Sequence, residues 1–415
     1  MLHVEGEKVR KLFLLAVFFA VIFVLVSPRF VSADSDWWNL DWSRRKEITI
    51  TGDHPDNCQI PFRVIYDTDM NDDFSDLRFV ENKTGNVLSY WIENLSPSEY
   101  ADVWVRRMDN GGIDALDMTI YMYYGNPSAT SVSNENNTFH LFDNFNGTTT
   151  DTTKWVESVT DQGSLEYTGT ELNAEGYAAG NDDHAMLRSK YDFPFPIVVE
   201  AYVTQCDDIE HIAIGTSPTL SGRGWLYNSY QIKWYNVGDQ DMQFYRVDGS
   251  GNTSLIASST NPPTLNAIHR VWWRTNETPY QHADDGSTTL EASNTDVSEG
   301  KVYVALGAGD GYDGSGVNFD WVRVRTFFST EPSVSFGTEE ERVIPPNTPE
   351  NLSPTSRQIS TSVVLTADVW DNDQGDINVF FFDNSNGSVI DNIWVSAPGG
   401  TAQVTWSGLE RGKTY

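Results

Sequence analysis

The side chains best suited to chemistry in this sequence are aromatic. Trp225, Tyr227, Tyr230, Trp234, Tyr235, Tyr245, Trp272 and Trp273 cluster on or beside short alternating segments. Flat rings with a few polar neighbours are how a binding site holds a sugar face. Trp225, Tyr227, Trp234, Tyr245 and Trp272 are therefore the candidate ligand-binding residues. Strand parity tempers this reading. Trp272 and Trp273 must point to opposite faces, as must Trp234 and Tyr235, so one of each pair belongs to a core. For any single large aromatic, a core position is the commoner assignment.

Acidic residues suggest a second chemistry. Asp371-Asn372-Asp373-Gln374-Gly375-Asp376 alternates oxygen ligands around a glycine, so Asp371, Asp373 and Asp376 could hold calcium. The distal bidentate Glu of a full calcium loop is missing, and Asp, Asn and Gly are equally what a turn requires. The run from Asp310 to Gly316 and the set Asp69, Asp72, Asp73 and Asp76 share that ambiguity. No other cofactor is implied.

Hydrolysis of a glycoside needs two carboxylates across the scissile bond, and on one strand they would sit two residues apart. Glu200 stands alone in Val198-Val199-Glu200-Ala201-Tyr202-Val203, and Asp207-Asp208-Ile209-Glu210 reads as a loop. No nucleophile elbow, phosphate loop or dinucleotide fingerprint occurs. Two cysteines, Cys58 and Cys206, are expected as separate buried thiols in different domains. Neither they nor the scattered histidines have zinc-site spacing. Catalysis is not expected.

The elements that must position these groups are strands. Ile48 and Ile50, then Ile60, Phe62 and Val64, then Met118, Ile120, Met122 and Tyr124 alternate with polar or edge residues. Longer runs follow at 197–203, 231–235, 243–247, 270–274, 302–306 and 319–325. After the N-terminus no amphipathic helix of useful length appears. The fold class is all-β: serial β-sandwich modules after a signal-peptide helix.

That N-terminus has Lys8, Arg10 and Lys11, then fifteen apolar residues from Leu12 to Val26, then small residues at Val31-Ser32-Ala33. Positive flank, apolar core and small-residue site spell an export signal over 1–33. At ~1.5 Å per residue the core spans ~22 Å, short of a ~30 Å bilayer interior. With 27 Lys and Arg against 59 Asp and Glu, the net charge is −32. Such a surface repels nucleic acid and anionic membranes. Eight Asn-x-Ser/Thr sequons read mostly as polar turns.

Specific motifs allow a resemblance. Trp38 to Trp42, Asp73-Phe74-Ser75-Asp76-Leu77-Arg78-Phe79, Tyr90-Trp91-Ile92-Glu93, Val103-Trp104-Val105 and Tyr123-Tyr124-Gly125-Asn126 resemble a prokaryotic domain-of-unknown-function module of secreted and surface proteins. That family implies architecture and location, with no established activity. Residues from Phe142-Asp143-Asn144-Phe145 and Trp155 to Pro332-Ser333-Val334-Ser335-Phe336-Gly337 are similar to a concanavalin A-like, laminin G-like jelly roll. The end, with Leu409-Glu410-Arg411-Gly412-Lys413-Thr414-Tyr415, looks like a fibronectin type III or immunoglobulin-like module. Expected boundaries are 34–140, 141–337, a proline-rich linker at 338–347, and 348–415 as an incomplete module. The expected protein is secreted or displayed at the cell surface and binds polysaccharide or envelope glycans without catalysis. Neither a nucleic-acid partner nor a membrane span after signal cleavage is expected. The alternatives are a polysaccharide-active enzyme whose catalytic part lies elsewhere, and a structural spacer. If the Asp371 cluster holds calcium, calorimetric titration gives heat and a higher melting temperature. A flat titration assigns those residues to the turn.

Overall fold

Period-two patterning becomes antiparallel strand almost throughout the computed structural model. It describes residues 22–24, 37–82, 84–107, 117–160, 162–176, 183–206, 209–235, 241–274, 281–293, 300–309, 315–342, 347, 349–353, 361–371, 376–383 and 385–410. The chain divides into two compact units, residues 46–338 and residues 1–45 with 339–415.

The larger unit holds two sandwiches. One pairs a five-stranded sheet with a three-stranded sheet. The first runs in the order Ser333–Glu341, Arg44–Thr51, Asp117–Tyr124, Arg78–Glu81, Val87–Leu88. The second runs Gln59–Ile65, Tyr100–Arg106, Tyr90–Ser96. The alternating residues seen in sequence, Ile48, Ile50, Ile60, Val64, Ile120 and Met122, fill the core between them. The strand Ser333–Glu341 was expected to close the jelly roll. It lies instead beside Arg44–Thr51, so the jelly roll is inserted between two strands of the first sandwich. Apolar complementarity explains the placement: Phe328 and Val334 pack on the first core, and Phe336 meets Phe62 edge-on at 5.8 Å. The glutamates Glu339, Glu340 and Glu341, expected in a linker, are the last residues of that strand.

The acidic cluster of the first module is explained by turns. Asp76 is fully buried, and its carboxylate accepts from the backbone N–H groups of Asn71, Gly125 and Asn126 at 3.1, 2.6 and 3.2 Å. One carboxylate thus joins the Asp73–Phe79 motif to the Tyr123–Asn126 motif. Asp73 accepts from the Ser75 N–H, and Asp72 accepts from the Tyr66 hydroxyl. These bonds give Asp72, Asp73 and Asp76 hydrogen-bond partners within the module.

The second sandwich is the jelly roll. Its seven-stranded sheet runs Trp155–Val159, His184–Ser189, Tyr303–Gly309, Ile209–Gly215, Ser229–Tyr235, Met242–Val247, Thr253–Ser259. The eight-stranded sheet runs Ser164–Tyr167, Leu172–Gly176, Ser315–Thr326, Ile197–Cys206, Ala267–Trp273, Gln281–Asp284, Thr289–Ala292, with Leu141–Asp143 also on Ser315–Thr326. Trp155, Tyr230, Trp234, Phe244 and Trp273 fill the space between the sheets. Asp143 explains the opening motif, since its carboxylate accepts from Trp155 Nε1 at 2.7 Å and from the Phe145 N–H at 3.0 Å. Cys58 and Cys206 lie in the two separate cores and are not bridged. Burial pushes the Cys58 thiol up to about 12.

A charged network ties the sandwiches together. Glu200 is 1% exposed and accepts from Arg270 Nε at 3.0 Å, Arg323 Nε at 2.5 Å and Arg325 Nε at 3.2 Å. Arg323 also reaches Glu93 of the first sandwich at 2.7 Å. Its guanidinium lies 4.5 Å from the Trp104 ring centre and 4.9 Å from that of Trp321. Trp91, Phe139 and Phe142 complete the apolar box. Nearby, His140 bonds the Thr326 hydroxyl at 3.0 Å.

In the smaller unit, Glu350–Ser353, Ser362–Trp370 and Gly399–Ser407 form one sheet. Ile377–Asp383 and Ser388–Val395 form another, around a core of Leu365, Ala367, Val369, Val379 and Phe381. Arg44 and Arg45 pair with Glu341 and Glu340 at 2.6 and 2.7 Å. Of the expected signal helix, only Ile22–Val24 is described, and it is a strand antiparallel to Val379–Phe381. β-Formers beside an open sheet edge satisfy its backbone groups, which accounts for the difference. The Arg411–Tyr415 corner lies outside the described residues. Among the described residues no helix is long and apolar enough to cross a membrane.

Two expectations follow. Burial alone would raise the Glu200 carboxyl, but Arg325, Arg323 and Arg270 hold it far below the usual range. Its stabilisation is present above the ordinary glutamate pKa and is lost as pH falls below it. Glu200→Ala strands buried guanidinium groups and costs about 3–5 kcal/mol at pH 7 in denaturant melts. Burial, with Arg106 adding to it, pushes His140 down to about 4 from 6.5. Its contribution is therefore complete above pH 6.5 and is lost towards pH 4, up to about 3 kcal/mol. His140→Asn should flatten the stability–pH curve in that window.

Candidate functional site

Parity sends every second residue of the seven-stranded sheet outward, away from the core. Two cross-strand rows result. One is Met186, Gly307, His211, Lys233 and Gln243; the other is Arg188, Ala305, Ala213, Gln231 and Tyr245. Small residues at the centre of both rows leave a shallow depression. The segment 216–228 folds into it as a strap, with Leu220 and Leu226 packed on Met186, Ala213 and Ala305.

Close approach requires glycine. Gly224 has φ +76°, and a Cβ there would lie 3.0 Å from the Met186 side chain. On the sheet, a Cβ at Gly309 would come within 2.8 Å of the strap carbonyl of Arg223. Hydrogen bonds pin the strap at its middle and near its C-terminal end. His184 Nδ1 donates to the Gly222 carbonyl at 2.9 Å while its Nε2 faces the Ser158 hydroxyl at 2.8 Å. The Leu226 N–H donates to Gln231 Oε1 at 3.1 Å, and the Gln231 amide donates in turn to His211 Nδ1. Burial, with Lys233 adding to it, holds His211 well below 6.5, so the ring is neutral and can accept that bond.

Trp225 is the strap residue at the centre of this arrangement. Its ring stands edge-on to His211 at 4.9 Å and to Tyr245 at 5.0 Å. Lys233 Nζ lies 5.5 Å from the ring centre. The Tyr245 hydroxyl donates to Gln243 Oε1, and Gln243 donates to Asp241 at 2.7 Å. An aromatic pair is thus framed by amides, a hydroxyl and a cation, a set able to stack on a sugar face and bond its hydroxyls. The strap leaves Trp225 only 5% exposed.

The structure brings Trp225 and Tyr245 together and separates the other candidates. Tyr227 is on the same strap but packs at the turn beside Gly251, where an added Cβ would lie 2.7 Å from its ring. Trp234 is fully buried in the core, 4.5 Å from the His269 ring, so it is no ligand platform. Trp272 faces outward on the other sheet, between His282 at 4.7 Å and Phe327 at 4.4 Å. Both its faces already have neighbours. His184, His211, Gln231 and Lys233 were missed. Parity held the signal: if Ile232 and Trp234 face the core, Gln231 and Lys233 must face out.

Glu210, expected in a loop, is on a strand and points into the core. His269 Nδ1 lies 2.9 Å from its carboxylate, and His269 Nε2 donates to the Thr264 carbonyl at 2.7 Å. Burial raises the Glu210 carboxyl. Burial would lower His269, but the adjacent carboxylate outweighs it and raises the ring. The pair therefore keeps a proton between its members. Of the calcium candidates, Asp371 is buried with its N–H donating to the Pro398 carbonyl. Asp376 accepts from the Ala397 N–H at 3.1 Å, and Asp373 lies outside the described residues.

Residues 73–158 match the family model described as a domain of unknown function, DUF2341. No curated protein matches the chain. Among solved structures it is similar to a glycosyl hydrolase family protein from Mycobacterium fortuitum, at 16% identity over 45% of this chain and 99% of that one, TM-score 0.31. It is also similar to the carbohydrate-binding module CBM66 from Bacillus subtilis, at 13% identity over 42% and 94%, TM-score 0.28. A legume lectin-like domain from Entamoeba histolytica matches at 11% over 43% and 92%, TM-score 0.31. Likeness at this level decides neither ligand nor activity.

The strap predicts its own weak point. Gln231→Ala removes the acceptor for Leu226 and the donor to His211, at a cost of about 1–3 kcal/mol. Hydrogen exchange should then speed up in 216–228 before the core strands respond.

Proposed function

We propose that this is an exported, non-catalytic protein that binds glycans at the strapped face of the jelly roll. The observation that carries the reading is the Trp225–Tyr245 pair, set on the outer sheet face among Gln231, Gln243, His211 and Lys233. The N-terminal pattern of charge, apolar core and small residues supports export. Against catalysis stands the use of the strand carboxylates. Glu200 is held by three arginines and Glu210 by His269, so neither is poised as an acid or a nucleophile across a glycosidic bond. The spacer reading draws on one observation, the near-complete cover of Trp225 by the strap.

Affinity electrophoresis of the full chain in gels containing neutral and acidic polysaccharides separates these readings. Retention by at least one polysaccharide is expected, and Trp225→Ala should weaken it at least about tenfold, or ~1.4 kcal/mol. Trp272→Ala should leave it unchanged. Mobility unaffected by every polysaccharide would leave the spacer reading in place.

A further inference from the structure

The smaller unit has a sheet edge held by a segment that export would remove. Its core lies between two sheets, one of Glu350–Ser353, Ser362–Trp370 and Gly399–Ser407, the other built on Ile377–Asp383 and Ser388–Val395. Ser388–Val395 takes one side of Ile377–Asp383. Ile22–Val24 takes the other side, antiparallel, with Ile22 opposite Phe381, Phe23 opposite Phe380 and Val24 opposite Val379. Among the described residues no other strand pairs there. These three residues belong to the apolar run read as the core of an export signal. Cleavage after Ala33 would take them away and leave a two-stranded sheet with an open edge.

That edge is poorly suited to water. Val379 and Phe381 are fully buried and belong to the core, together with Ile377 and Val395. A pair of strands is marginal by itself, and an unpaired edge offers a row of backbone donors and acceptors to any extended chain. Residues opposite each other across a strand pair share one face of the sheet. A strand added here therefore extends the core through its positions opposite Val379 and Phe381, and not through the one opposite Phe380. In Ile22–Val24 those two positions hold Val24 and Ile22, both β-branched and apolar.

Charge argues against a second copy of this chain as the lasting occupant. Antiparallel pairing of two such edges about Phe380 would set Asp376 of one copy beside Asp383 of the other, and like charges there are unfavourable. The net charge of −32 adds general repulsion between copies.

We propose that Ile377–Asp383 is a strand-acceptor site. Once the export signal is removed, it binds an extended segment of a partner protein that has apolar β-formers at alternate positions, added antiparallel as Ile22–Val24 is. The proposal rests on the export reading above; until cleavage, Ile22–Val24 holds the edge.

The test follows hydrogen exchange at 377–383 in the full chain and in the chain starting at Asp34, with and without a peptide of residues 20–26 flanked by lysines. Exchange there is expected to be about tenfold faster in the shorter chain, and the peptide should restore the full-chain rate. A Phe23→Ser peptide should restore it too, whereas a peptide with Ile22→Asp and Val24→Asp should not. Circular dichroism melts accompany each form. If the chain from Asp34 does not fold, the full chain with Ile22→Pro and Phe23→Pro replaces it. Consecutive N–H groups of a strand point to opposite sides, so this pair of prolines removes a donor to the edge in either parity. Equal exchange in both forms would overturn the seat of Ile22–Val24. Faster exchange that no peptide slows would overturn the acceptor site, and equal rescue by the aspartate peptide would overturn its demand for apolar residues. Sedimentation of the shorter chain as a dimer, with 377–383 protected, would assign the edge to a second copy instead of a partner protein. The mass of the secreted chain separates this proposal from the export reading. Retained residues 1–33 would sink that reading; their loss without peptide binding would sink this proposal alone.

Discussion

The buried carboxylate of Glu200 is the constraint on which the larger unit depends. A charge with so little exposure is tolerable only if fully paired, and three guanidinium groups from two neighbouring strands meet it. One of these, Arg323, carries the network into the first sandwich through Glu93 and an aromatic box. The junction therefore combines charge pairing with ring packing. It joins sandwiches that are also interlocked by topology, because the jelly roll interrupts the strand order of its neighbour. Neither sandwich is a simple bead on a string.

The same principle operates more weakly on the opposite sheet. Outward polar residues there are covered by a strap instead of by a second module. Small residues at the sheet centre make the depression, leucines from the strap fill it, and Gln231 and His184 satisfy strap backbone groups. Few apolar contacts hold a segment with several exposed residues, which is the pattern of low local stability. The strap leaves the Trp225–Tyr245 pair, a candidate that the sequence offered, almost wholly covered.

Burial also explains why the acidic and aromatic clusters mean different things at different places. Asp76 is spent on backbone N–H groups, Glu210 on a histidine and Trp234 on the core. Each looked chemically available in sequence because composition does not show partners. Trp225 differs because its neighbours are the outward side chains His211, Lys233 and Tyr245, rather than a closed hydrophobic interior.

By itself the sequence determined the class of fold. Alternation at Ile48 and Ile50, at Ile60 to Val64, and at Met118 to Tyr124 is a local property of the chain, and each run became a strand facing the expected core. Motif positions also survived, since Asp76 and Gly125, or Asp143 and Trp155, are bonded partners whose residue types a turn or an indole requires. Parity correctly split Trp272 from Trp273, but could not say what would cover the outward ring. Tertiary structure alone decided the rest. Sheet order is set by contacts between residues hundreds of positions apart, so Ser333–Glu341 could join the first sandwich without any local sign of it. The gathering of Trp225, Tyr245, His211 and Lys233 was hidden for the same reason: three strands and a strap must fold before their side chains share one face.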